Sequence, residues 1–420
     1  MGKSRVVKCL DIETEENKMN VTIFAGTTGF DKSDYLRSFT KWCLAKHGYS
    51  DDLESADAKR FIHYIKFEDE LLAEDNTSTD MPAFLERPSF KEKCATVERT
   101  FKRIAERIVP HTDNVFLDIH LSYYKRSSFL PPISFANFRQ LVPQENVPVK
   151  VVTLIDDSFV IWKTLLKREN RFPKTHLRLR EIISWRSLET LQAETVALNY
   201  TNVARGSVEN YLVAIRHPRA TLYNLIFRPR PIRAYLSFPI TNTRSFAERV
   251  EDINAFRREA HSLASKHNAS LFDPVTIDEL ALHAAAKDQP GDDVVLERNK
   301  RWPLDLAGEL VREPDWPIKI PRQEIDEVLP DITNNIRARD FKLIDNSRFT
   351  MAYRPYFGGE SGGVREEIGY TISSGKRAYA YYPAEDGAPR GSHPFDPSVV
   401  SYSDRNQFLN GLRQVLSTTS

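Results

Sequence analysis

Cysteine is scarce in this chain of 420 residues: three thiols, Cys9, Cys43 and Cys94, with no Cys-x-x-Cys pair. So few, scattered and odd in number, they argue against a disulfide framework and a cysteine-built zinc site, and they fit a reducing, cytoplasmic setting. Long apolar runs are lacking, so no segment is expected to span a membrane. The amino terminus, Met1-Gly-Lys-Ser-Arg-Val6, has no apolar signal stretch, and Val6 breaks the myristoylation pattern. No one sign of charge dominates: 59 basic residues face 58 acidic ones, a net charge of +1. That balance argues against general nucleic-acid binding, which draws on a basic field. There is no repeat and no long low-complexity tract.

What is present is enough apolar material for ordinary cores, 41% of residues, and length for two domains. The first half alternates β-rich runs (Val21–Phe24, Phe61–Phe67, Val115–His120, Val149–Ile155, Tyr211–Ile215) with helical patterns (Lys91–Ile108, Ser158–Lys167, Leu177–Ala197). Such alternation predicts a mostly parallel sheet. Phe227-Arg-Pro-Arg-Pro-Ile-Arg233 reads as a junction, because its prolines stop a helix. A second series follows: a strand at Ile232–Leu236, a helix at Ser245–Lys266, a short strand at Ser270–Phe272, and a polar span from Ala284 to Pro321 expected to be a flap or loop. After a helix at Gln323–Arg337 come a strand at Phe349–Tyr353, a glycine-rich loop, a helix, a strand at Ala378–Tyr382 and a final helix at Asp404–Leu416. The expectation is an α/β protein of two Rossmann-like parallel-sheet domains, residues 1–228 and 229–420.

Two loops carry chemistry. Gly26-Thr-Thr-Gly29-Phe-Asp31-Lys32-Ser33 follows the first strand and opens a helix, in phase with Gly-x4-Gly-Lys-Ser. Asp31 stands where the second glycine belongs, adding bulk and a repelling charge. Asp118, ending the Val115 strand, is placed to help hold Mg²⁺, and Arg168, Arg171, Arg178 and Arg180 follow in a lid-like position. This half resembles the P-loop nucleotide kinases of the adenylate-kinase type. The resemblance implies nucleotide binding through Gly26, Gly29, Lys32, Ser33 and Asp118, with ATP and Mg²⁺ as its cofactors; Asp31 weighs against phosphoryl transfer.

The second loop is Ser361-Gly-Gly363-Val-Arg-Glu-Glu367-Ile-Gly369, followed by Gly375-Lys376 and Tyr382-Pro383 and preceded by Ala352-Tyr-Arg-Pro355. A glutamate at the start of a helix beyond a strand's carboxyl end is placed to meet a ligand. These motifs resemble the nucleoside 2-deoxyribosyltransferase superfamily and the related nucleotide N-glycosidases. The resemblance implies Glu367 as catalytic nucleophile, Tyr235 as the residue that orients it, and Asp340 as a sugar contact. It further implies Ser361, Gly363, Ser237 and Arg244 as substrate-binding residues, with Ser361 favouring a 5′-phosphate. Arg348 departs from the family, which commonly has aspartate before the Phe349 strand. No metal or other cofactor is needed for that chemistry, and a homo-oligomer is the family's usual form. The implied function is cleavage or transfer at the N-glycosidic bond of a nucleoside or nucleotide, in salvage or in nucleotide depletion such as antiviral defence. NAD as substrate and a non-catalytic nucleotide sensor or scaffold are the alternatives left open.

Overall fold

The computed structural model describes residues 19–417 apart from 87–88, 109–111, 126–127, 131–132, 142–146, 168–176, 204–206, 301, 303–314 and 388–395. Arg168 and Arg171 therefore lie outside the described residues, as does Cys9.

Two five-stranded sheets, each wholly parallel, organise the chain. The first half contributes β1 (Asn20–Ala25), β2 (Ile62–Lys66), β3 (Asn114–Asp118), a hairpin of β4 (Tyr123–Lys125) and β5 (Ser128–Leu130), β6 (Val149–Ile155) and β7 (Val208–Ala214). Its sheet runs β2-β3-β1-β6-β7. The inner strands are almost continuously apolar because helices cover both faces. The strand β1 lies at the centre, where the order reverses, so the Gly26 loop leaves the sheet at a switch point, the usual ligand position in such folds.

The second half contributes β8 (Arg233–Ser237), β9 (Ser270–Phe272), a hairpin of β10 (Asp293–Leu296) and β11 (Ile318–Pro321), then β12 (Phe349–Tyr353), β13 (Arg377–Tyr381) and β14 (Val400–Tyr402). Its sheet runs β14-β13-β12-β8-β9. Counted within this half the order is 2-1-3-4-5, the flavodoxin-like order, whose switch point lies between β8 and β12.

Two expectations change. The span from Ala284 to Pro321 is not simply a loop: it begins within the helix Leu280–Asp288 and contains β10 and β11, paired antiparallel. Its alternating Val294, Leu296, Ile318 and Ile320 bury one face of that hairpin. The single helix expected at Gln323–Arg337 is two, Arg322–Asp326 and Leu329–Asn346, with Pro330 in the first turn of the second, where a missing N–H costs least.

The halves share one apolar core that includes Phe24, Leu154 and Trp185 from the first and Tyr235, Phe272 and Leu343 from the second. Polar contacts reinforce it. Asn346 accepts from Leu212 N and donates to Asn210 O, each at 2.9 Å, covering the edge of β7 that would otherwise present unpaired backbone. Arg186 makes a bidentate, buried ion pair with Glu279 at 2.8 and 2.9 Å. Asp278 N donates to Asp157 Oδ1 at 2.6 Å, and Ser158 N to Glu279 Oε1 at 3.1 Å.

Candidate active site

Alternation along β8 puts Tyr235 and Ser237 on one face and Leu236 on the other, where Leu236 joins the core formed with Phe256 and Met351. Parallel pairing sets Tyr235 against Thr350 and Ser237 against Ala352. From β12 the chain turns through Arg354–Ser361 into the helix Gly362–Ser373. That turn is built: Arg354, with φ 48°, stacks on Phe357 and pairs with Asp386 and Asp252. Gly358, with φ 82°, has no room for a side chain, because a Cβ would lie 2.5 Å from the Arg249 guanidinium and 2.9 Å from Asn242 O.

Glu367, in the second turn of that helix, reaches back over the switch point. Its Oε1 accepts from Tyr235 Oη at 3.0 Å and its Oε2 from Ser237 Oγ. Asp340 comes from the helix Leu329–Asn346 and is buried beside this pair. The two helices meet through Phe341 stacked on Tyr370, centroids 4.1 Å apart, and through the ion pair Arg337–Glu366 at 2.7 Å. Arg339 donates to Asp340 Oδ1 through Nε at 3.0 Å and Nη2 at 2.9 Å, and to Ile277 O at 3.1 Å. Burial first, and the neighbouring Asp340 carboxylate second, push the Glu367 carboxyl up to about 8; the Ser237 and Tyr235 hydroxyls and Arg339 oppose them. Asp340 is raised as well, by burial that Arg339 only partly offsets. Glu367, Tyr235, Ser237 and Asp340 thus form one constellation, with a carboxyl whose charge changes near neutral pH.

The other residues expected in this pocket have different places. Ser361 is the N-cap of the Glu367 helix, accepting from Val364 N at 3.5 Å. Gly362 and Gly363 have open space where a Cβ would stand, so the backbone beside the cap is approachable. Arg244 is held by both oxygens of Asp278, Nη1 to Oδ2 at 3.1 Å, and its charge is thereby matched. Arg339, fixing Asp340, is the site residue the sequence pattern did not single out; its only signal was a basic side chain next to a candidate acid. Among the described residues no group of three or more His, Cys, Asp and Glu side chains is arranged to hold a metal, and no helix is long and apolar enough to cross a membrane.

At the other switch point the Gly26 loop is occupied by the protein itself. Lys32, 3% exposed, pairs with Asp118 at 2.9 Å and donates to Phe24 O and Ile119 O. Asp118 also accepts from Tyr64 Oη at 2.8 Å and is held below the usual carboxylate range, Lys32 and Ser33 outweighing burial. Gly26 N donates to Glu189 Oε1 at 3.1 Å. That buried carboxylate also accepts from Leu121 N, Ser122 N and Ser122 Oγ at 2.6–2.8 Å. Phe30 is buried within the loop, and Gly29 lies against Ile161 and Leu165. Gly26, Gly29, Lys32, Ser33 and Asp118 do converge, but a phosphate does not fit them as arranged: the cation and the loop's first N–H are engaged by carboxylates. Arg178 and Arg180 do not form a lid over this loop. They cross to the second half, Arg178 to Glu324 and Glu327 and Arg180 to Asp331.

No known protein-family model matches the chain, and no curated protein matches it.

Proposed function

We propose that the chain cleaves or transfers at the N-glycosidic bond of a nucleoside or nucleotide, with Glu367 as the nucleophile. The observation that carries this is the glutamate held at a switch point by two hydroxyls, Tyr235 and Ser237, beside the Asp340–Arg339 pair. The ionised Glu367 attacks the anomeric carbon, the C–N bond breaks, and its electron pair leaves with the base, which takes up a proton. Water or a second base then displaces the glutamate. Charge builds on the sugar in an oxocarbenium-like transition state, and a nearby carboxylate stabilises it. Asp340, tied down by Arg339, faces the same place and suits a sugar hydroxyl. Gly363 and the Ser361 cap leave approachable backbone at a helix N-terminus, which suits a phosphate. The likeness to the deoxyribosyltransferase superfamily supports the same chemistry through the residues in phase around Glu367.

The test is chromatographic detection of free base from nucleosides, nucleoside mono- and triphosphates and NAD, with and without a free base as acceptor. Base release by the native protein that falls at least 100-fold in Glu367→Gln is expected. No release from any of these substrates would refute the proposal.

A further inference from the structure

The helix Gly362–Ser373 has little apolar material holding it to the sheet. Its inward residues Val364 and Ile368 meet Ala352, Ala378, Ala380 and Val399, a small cluster built mainly of alanine. Apolar burial is non-directional, so so small a cluster fixes the height of the helix above the strands only loosely. A nucleophile needs closer control, because a misplacement of an ångström costs rate. The same inward face carries two polar residues, Glu367 and, four positions on, Thr371.

Thr371 is fully buried, and its hydroxyl has two partners. Oγ1 donates to Glu367 O at 2.8 Å and lies 2.7 Å from Oγ1 of Thr350, which is fully buried as well. The one Thr371 hydroxyl proton is committed to a carbonyl, which only accepts, so Thr350 is the donor in the second bond. The links therefore run in one direction, from Thr350 through Thr371 to the backbone of Glu367. Thr350 is the β12 residue paired in register with Tyr235 on β8. Paired positions on neighbouring strands thus hold Glu367 at two points. Tyr235 holds Oε1 at 3.0 Å, and Thr350, through Thr371, holds the carbonyl. Neither threonine hydroxyl bonds to the carboxylate itself.

We propose that Thr350 and Thr371 are positioning residues for the Glu367 nucleophile: their hydroxyls fix the second turn of the helix against β12, so that the carboxylate meets Tyr235 and Ser237 together. Valine in place of either threonine keeps the branched shape and removes the link, and serine restores the hydroxyl. The inference rests on the reading of Glu367 as nucleophile, but it concerns how that side chain is held, which is measurable with or without turnover.

The test joins steady-state base release to a carbon-13 NMR titration of the full chain labelled at glutamate Cδ, in which the Glu367 signal is the one that Glu367→Gln removes. Thr371→Val is expected to lower kcat about 10-fold and to leave KM within about two-fold of the native value. It should also move the Glu367 titration to more alkaline pH, because a carboxyl displaced from the Tyr235 and Ser237 hydroxyls loses bonds that favour its ionised form. Thr371→Ser is expected to restore both readouts. Thr350→Val, which cuts only the outer link, should move both in the same direction by less. Threonines that merely packed would give valine variants with native kcat and native titration, and that result overturns the proposal, as does an equal loss in Thr371→Ser and Thr371→Val. If circular dichroism shows that Thr371→Val does not fold, Thr350→Val decides on the same two readouts. If the native protein releases no base, the glycosidic reading fails and the titration alone decides: an alkaline shift in the folded valine variants sustains the positioning, and an unchanged or lowered midpoint overturns it.

Discussion

A carboxyl held up to about 8 is mostly protonated at neutral pH, and a protonated acid does not attack an anomeric carbon. For the free protein, kcat/KM for base release should therefore rise with pH, reach half its maximum near pH 8 and level off above it. A flat profile between pH 5 and 9 would exclude Glu367 ionisation as the controlling step. The Tyr235 hydroxyl stabilises the ionised form, so Tyr235→Phe should move that rise to more alkaline pH and lower kcat/KM about 10-fold at pH 7. The same carboxyl affects stability. Its native pKa lies above the unfolded value near 4.5, so its favourable contribution is complete below pH 4.5 and is lost as pH rises to about 8. Glu367→Gln should then stabilise the fold by roughly 1–3 kcal/mol at pH 8 and by nearly nothing at pH 4.5, as thermal melts at the two pH values would show.

At the scale of the element, the loop after β1 has the phase of a phosphate loop and the contacts of a closed one. Removing the Lys32 charge by Lys32→Met leaves Asp118 buried without its cation. The expected cost is about 3–5 kcal/mol in urea unfolding. ATP·Mg²⁺ should show no measurable binding to the native protein in equilibrium dialysis. Micromolar ATP binding that Lys32→Met abolishes without loss of stability would contradict the closed arrangement. Asp31 is a non-glycine residue at φ 51°, in the left-handed region where glycine carries no Cβ penalty, so Asp31→Gly is expected to relieve about 1 kcal/mol of backbone strain, read by urea unfolding.

Across the whole molecule, a buried ion pair, Arg186–Glu279, and one shared core tie the first half to the second. The chain segment Ile277–Glu279 sits at the join: Ile277 O receives Arg339, Asp278 holds Arg244, and Glu279 binds Arg186. Burial alone would raise the Glu279 carboxyl, but Arg186 outweighs it and keeps the pKa near 2. Arg186→Met should cost about 3–5 kcal/mol, because it strands a buried carboxylate, and Glu279→Leu added to it should recover much of that loss. The favourable contribution of Glu279 is present above its unfolded pKa and fades as pH falls from about 4.5 towards 2. A melt in which Arg186→Met matched the native protein at neutral pH would show that the join is not held this way. The same segment reaches the glutamate centre, since Arg339 donates both to Ile277 O and to Asp340.

The alternation of apolar strands and amphipathic helices by itself determined the two α/β halves, because a parallel sheet buried on both faces demands that pattern. The phase of Ser361, Gly363 and Glu367 likewise placed a carboxylate at a helix beyond a strand end, a local property of loop and helix. Tertiary structure decided everything that depends on residues distant in the chain. The Arg339–Asp340 pair lies beside Glu367 only because the helix Leu329–Asn346 packs there, and the burial and the Asp340 carboxylate that raise the pKa of Glu367 both come from that packing. Sequence spacing made Lys32 a candidate for phosphate, but Glu189, more than 150 positions later, engages the Gly26 N–H that a phosphate would need. Arg178 and Arg180 read as a lid until the fold showed their carboxylate partners in the other half. Charge and burial are long-range properties, set by what the fold brings within a few ångströms, and no local pattern encodes them.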